Sequence, residues 1–197
     1  VNDAPALAKA QIGIAVEGAT DAAQSAADIV LTQPGLSPIY TAILISRRIF
    51  KRLKSYVIYR ICITVQVVFF LTAIAFLFNA TFKPLYIILL ALLHDLQIVT
   101  IAYDHQVAGH VPETPTVMGL LLVSYTMGIL MSIQTTLMYA HGGSFLAPDF
   151  QCMPTATQVC QYKDAAIFLQ ISNSSALLIL SARSVKWFFS SMPAWQI

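Results

Sequence analysis

The chain has 197 residues, 57% of them hydrophobic and only 10% charged, with a net charge of +2. A soluble domain of this size carries about 25% charged residues, so contact with lipid must replace contact with water. The charge is too small and too localised for a nucleic-acid-binding protein, and no nucleic-acid partner is expected.

The start, VNDAPALAKA, has no basic stretch leading into an apolar run, so it does not read as a secretory signal. With no initiator Met, the chain is expected to begin in mid-protein. Residues 1–35 differ in composition from the rest. Ala4–Ala10 predicts a short helix, Ile12–Val16 a buried strand, Thr20–Ala27 a helix capped by Thr20 or Asp21, and Asp28–Leu31 a second strand. Helices alternating with short apolar strands predict an α/β layer with a parallel sheet. Thirty-five residues cannot close such a sheet, so the segment reads as a remnant whose other strands lie upstream.

After Pro34-Gly35 a helical pattern starts near Ser37. Its first part carries Arg47, Arg48, Lys51, Arg52 and Lys54, and its second, 56–78, is almost wholly apolar. No helix breaker separates the two, which predicts one helix of roughly 60 Å running from a cytosolic stalk into the bilayer. Three more spans of bilayer length follow, at 84–103, 116–139 and 164–182. The last bears a polar stripe of Gln170, Ser172, Asn173, Ser174 and Ser175. Four spans put both termini on one side. The basic cluster, with Arg183 and Lys186, assigns that side to the cytosol, while Lys83 and Lys163 fall in external loops. The fold class expected is therefore a mainly α membrane protein. Its parts are an α/β remnant (1–35), a stalk (36–55), a transmembrane domain (56–189) and a cytosolic tail (190–197).

Asp95 is the sole acidic residue in the interior of a span, which makes it a functional candidate. A hairpin turning at Asn79–Phe82 puts Asp95 level with Gln66, near mid-bilayer. His94 adjoins it. Arg60 lies nearer the cytosol and is expected to snorkel or to meet Asp104 rather than reach Asp95. Calcium sites need six to eight oxygen ligands, often several carboxylates, so one interior acid argues against calcium. No soft-ligand motif for copper or zinc occurs in the spans. A proton needs one carboxyl group; K⁺ and Na⁺ stay open.

VNDAPAL, at Val1–Leu7, closely resembles the second half of the GDGVNDAPAL signature of P-type cation-transporting ATPases. The likeness continues through IGIAV, ATDAAQSAADIVLTQPGLS and the spans to about Phe189. SRRIFKRLKSYVIYRICITVQVV, LLHDLQIVTIAYDH and IFLQISNSSALLILSARS resemble the fifth, sixth and eighth membrane helices of the plasma-membrane proton-pump branch. The resemblance implies that residues 1–35 end a phosphorylation domain of HAD-like, Rossmann-like fold. It implies ATP and Mg²⁺ as cofactors, with Asn2 and Asp3 in the Mg²⁺ and phosphoryl shell and Asp3 a metal ligand. It places Asp95 at the proton-binding aspartate, with Gln66 and His94 as neighbours. Here the sequence departs from the plant-like pattern, which has Arg at Gln66 and Asn at His94. The DKTGT, TGES and nucleotide-binding segments are absent, so this chain alone is not expected to hydrolyse ATP. Its implied partners are the lipid bilayer and the N-terminal part of the pump. Without the resemblance, Asp3 reads as a helix N-cap with Pro5 in the first turn. A passive transporter or a truncated scaffold is the rival reading of the whole chain.

Several features carry less. Cys62 reads as a packed small hydrophobe. Cys152 and Cys160, eight positions apart in one external loop, are spaced to allow a disulfide on an oxidising side. The Asn79-Ala80-Thr81 sequon sits close to the membrane, and Asn173-Ser174-Ser175 lies within a span. His105 and His110 read as solvated loop residues.

Overall fold

The computed structural model describes residues 2–103, 106–109, 116–145 and 157–183, with side chains left undescribed at 143–145, 157–162 and 183. It divides into two units. Of the described residues, one takes 2–48 with 108 and 109, and the other takes 49–107, 116–145 and 157–183.

The first unit holds α1 (Ala4–Lys9), β1 (Ile14–Ala15), α2 (Asp21–Ala26) and β2 (Ile29–Val30). Pro5 sits in the first turn of α1, where its missing N–H costs nothing, and Thr20 occupies the N-cap of α2. The strands are shorter than the sequence suggested, but they pair in parallel as expected, Ile14 opposite Ile29 and Ala15 opposite Val30. Gly13 is required here by close approach: a Cβ on it would lie 2.6 Å from the Leu7 carbonyl oxygen. Its N–H donates to Asp28 Oδ2 at 2.9 Å, which ties the end of α2 to the start of β1. Ala15, Ala23 and Leu31 are buried, whereas Ile29 and Val30 stay exposed.

α3 (Ser37–Phe78) is one unbroken helix of 42 residues, about 63 Å at 1.5 Å per residue, as the sequence predicts. It begins in the first unit and continues in the second, where α4 (Pro84–Ala102), α5 (Val117–Phe145) and α6 (Thr157–Arg183) join it. α5 and α6 are longer than the expected spans 116–139 and 164–182, by six residues at the end of one and seven at the start of the other. Among the described residues, four helices are long and apolar enough to cross a membrane. Their outward side chains, such as Phe76 (82% exposed), Leu77 and Leu96, are those that lipid solvates and water does not.

The bundle interior has two apolar clusters. Tyr59, Cys62, Ile63, Ile101, Leu178 and Ile179 form one, and Phe70, Ile74, Phe82, Leu90, Ile167 and Ile171 the other. α5 crosses α3 at Gly128, where a Cβ would lie 2.7 Å from Val65 Cβ and 2.8 Å from the Cys62 carbonyl oxygen. The small residue lets the two backbones approach, a common device where no water drives helices together. Buried Cys62 sits in this crossing, its Sγ 4.0 Å from Met131 Sδ, as its reading as a packed hydrophobe requires.

The link from α3 to α4 determines which residues share a depth. Asn79 adopts φ 48°, and the Ala80 N–H closes back on the Ile74 carbonyl. The chain then runs back along α3, so that Phe82 packs edge-to-face on Phe70 with ring centroids 6.0 Å apart. The hairpin estimate took Asn79–Phe82 as the turn, whereas the contact of Phe82 with Phe70 shows that the chain has already turned back beside α3 by Phe82.

Candidate functional site

Asp95 lies on α4 with its Oδ1 2.8 Å from Arg60 Nη1 on α3. This corrects the expected facing of Asp95 and Gln66: the partner lies six residues earlier on α3. It also corrects the expectation that Arg60 stays away from Asp95. Asp104, the other partner considered for Arg60, lies outside the described residues.

The pair stands at the polar end of a groove of about 220 Å³ between α3 and α4. Its walls are apolar, from Ile63, Val67, Val68, Ile87, Leu90 and Ala91, with Thr64 and His94 as further polar members. The side chains of Arg60 and Asp95 are 48% and 62% exposed, so the pair faces out of the bundle. His94 instead is 4% exposed, and its Nε2 has no hydrogen-bond partner. His94 thus shares the groove with Asp95, as its place in the sequence suggests.

Gln66 does not belong to this groove. It is fully buried, and its Nε2 donates to Thr135 Oγ1 on α5 and to Ser174 Oγ on α6, both at 3.3 Å. A second buried set joins α3, α4 and α6: the Tyr59 hydroxyl donates to Gln97 Oε1 at 2.7 Å, and the Ser175 hydroxyl donates to the same oxygen at 2.9 Å. The polar stripe of α6 is therefore largely internal, with Ser172, Ser174 and Ser175 buried and Asn173 exposed.

Sequence reasoning missed Tyr59, Gln97 and Thr135, and it named Arg60 but kept it away from Asp95. For Arg60 the signal was present, since it too is ionisable within an apolar run and the rule that selects Asp95 selects it as well. Tyr59, Gln97 and Thr135 gave no comparable signal, because single uncharged polar residues are common in membrane helices.

Chemically, the pair is a carboxylate and a guanidinium held 2.8 Å apart across two helices, beside a groove whose other walls are largely apolar.

In the first unit, Asn2 and Asp3 are exposed at the start of α1. The Asp3 carbonyl accepts from Leu7 N at 2.9 Å, but its carboxylate makes no capping hydrogen bond. That leaves a hard oxygen donor open, which suits Mg²⁺, while two side chains fill only part of an octahedral shell. Among the described residues, no group of three or more His, Cys, Asp or Glu side chains converges as a metal site. Elsewhere along the basic segment, Arg47 donates to the Gly109 carbonyl at 2.9 Å, and Lys51 to the Val107 carbonyl at 3.0 Å. Cys152 and the Cys160 side chain lie outside the described residues, as do His105, His110 and the tail 190–197. Compared with known protein families, the chain matches none of them.

Proposed function

We propose that this chain is the C-terminal, largely membrane-embedded part of a P-type ATPase that exports protons across the plasma membrane through an aspartyl-phosphate cycle. The observation that carries the reading is the Asp95–Arg60 pair, a membrane carboxylate with its counter-charge set in an apolar groove. The resemblance of VNDAPAL and the spans to that family supplies the energy source.

In this reading Asp95 binds the transported proton. Arg60 is the counter-charge that the protonated acid releases and the ionised acid recaptures. His94 borders the same groove. Gln66, placed by the resemblance beside the proton site, acts from within the bundle as a positioning residue. Asn2 and Asp3 supply part of the Mg²⁺ and phosphoryl shell; Mg²⁺, when bound with ATP, neutralises phosphate charge. The N-terminal part of the pump provides the nucleotide-binding and phosphorylated residues, and both termini of this chain lie in the cytosol. The unbroken α3 joins stalk to groove and is the element through which the two chemistries communicate.

The test is transport by the complete pump in reconstituted vesicles, read with a pH-sensitive dye. Asp95→Asn keeps the size and much of the hydrogen bonding of the side chain but cannot exchange a proton. It is expected to abolish acidification while phosphoenzyme still forms. Full acidification by Asp95→Asn would place the proton elsewhere and overturn the reading.

A further inference from the structure

α4 lies against α6, whereas its backbone stays further from α3, with the groove between them. At the polar end of that groove, side chains have to reach across to join α4 to α3. Two pairs do so. Arg60 Nη1 meets Asp95 Oδ1 at 2.8 Å, and the Tyr59 hydroxyl donates to Gln97 Oε1 at 2.7 Å.

These four residues are close in sequence but differ in direction. Helical residues turn by about 100° each, so Asp95 and Gln97 point to nearly opposite sides of α4 and differ by about 3 Å in depth. Asp95 is exposed, whereas Tyr59, the partner of Gln97, is fully buried. Tyr59 and Arg60 are consecutive on α3, so α4 is gripped on two sides at one level. The inner contact has a third member, because the Ser175 hydroxyl of α6 donates to the same Gln97 oxygen at 2.9 Å. One amide atom thus ties α4 to both α3 and α6, two positions from the carboxylate. Exchanging the amide oxygen and nitrogen keeps both contacts, since an N–H₂ can donate to two hydroxyl oxygens.

A slip of α4 by one turn, about 5.4 Å, would break the inner and outer contacts together. An exposed ion pair holds its geometry weakly, because solvent competes for both charges. The inner contact, formed with two fully buried hydroxyl residues, has no such competitor and is the firmer of the two. We propose that Gln97 is a positioning residue for Asp95: by holding Tyr59 and Ser175 it fixes α4 where the carboxylate meets Arg60. Its consequence for transport rests on the reading of Asp95 as the proton carrier, but its hold on the ion pair does not.

The test repeats one double-mutant cycle, Arg60→Met with Asp95→Asn, in the unmodified full chain and in Gln97→Met, by reversible unfolding in mixed micelles. The coupling between Arg60 and Asp95 is expected to fall by at least about half when Gln97 is replaced. Were Gln97 merely structural, all four chains would weaken alike and the coupling would stay unchanged, which would overturn the proposal. The absence of any coupling in the unmodified chain would overturn it as well. Tyr59→Phe removes a single hydroxyl and should lower the coupling less; it decides should Gln97→Met fail to fold. In the complete pump, Gln97→Met is expected to slow acidification severalfold while phosphoenzyme still forms. Full acidification despite a lost coupling would overturn the part of Gln97 in transport. Full acidification by Asp95→Asn would instead overturn the proton-carrier reading and leave the hold of Gln97 on the ion pair standing.

Discussion

The Arg60–Asp95 pair makes a quantitative demand on the bundle. Arg60→Met and Asp95→Asn each leave one charge alone in a groove walled by Ile63, Val67, Val68, Ile87, Leu90 and Ala91. The double variant leaves none. Opposite charges about 4 Å apart attract by about 4 kcal/mol at an effective dielectric of 20. The two side chains are 48% and 62% exposed, so solvent or headgroup screening is taken to remove about half of that. The expected coupling is about 2 kcal/mol, above the range of about 0–1 kcal/mol for surface pairs and below the 3–5 kcal/mol cost of breaking a buried one. Each single variant should thus destabilise the bundle by about 2 kcal/mol, and the double variant by about the same amount rather than by the sum. The assay is reversible unfolding of the four chains in mixed micelles, followed by circular dichroism, with the cycle computed from the four free energies. A coupling below about 0.5 kcal/mol would show that the groove does not hold the pair against solvent, and the link between protonation and geometry would lose its energetic basis.

Three further outcomes test the frame around the groove. Gly128→Ala should destabilise the α3–α5 crossing by about 1–3 kcal/mol, because the new methyl meets the Cys62 carbonyl oxygen as well as Val65. Val65→Ala in the same chain should restore only part of that, read by the same unfolding assay, since the carbonyl cannot move aside. Asn79→Val forces a β-branched residue to φ 48° and should cost about 1–2 kcal/mol, whereas Asn79→Gly should be close to neutral in thermal melting. In the first unit, Asp28→Ala removes the acceptor of the Gly13 N–H, so exchange of the Gly13 amide with deuterium should quicken, and Asp28→Asn should retain most of the protection.

Much of the fold was legible because its signals are local. The run from Ser37 to Phe78 contains no breaker between its basic and apolar halves, and it is one helix. The parallel pairing of Ile14 with Ile29 follows from two short apolar runs separated by a helix, which returns the second strand in the direction of the first. The ends of α5 and α6 were less legible because apolarity marks membrane depth, not helix length. Polar Thr157–Tyr162 extends α6 without adding to a hydrophobic run, and α5 carries on through Gly142 and Gly143, each costing only about 1 kcal/mol relative to alanine.

Asp95 was found from the sequence and its partner was not, and the reason is geometric. Choosing Asp95 needed only its charge and position in an apolar segment, whereas choosing its partner needed the path of the Asn79–Lys83 link, which brings Phe82 against Phe70 and so shifts the register of α4 along α3. That shift divides the polar side chains of α3 into two settings. Arg60 meets the carboxylate on the outward side of the described helices. Gln66, less than two turns further on, faces inward to hydroxyls and amides alone. A lone charge facing lipid is costly, so it is their pairing that makes Arg60 and Asp95 tolerable on the outward side, while the bundle centre holds only dipoles, which hydrogen bonds can satisfy. An arginine at 66 would place a guanidinium among hydroxyls and amides with no carboxylate hydrogen-bonded there, so the inward side of α3 favours an uncharged residue at 66 while Arg60 meets its carboxylate on the outward side.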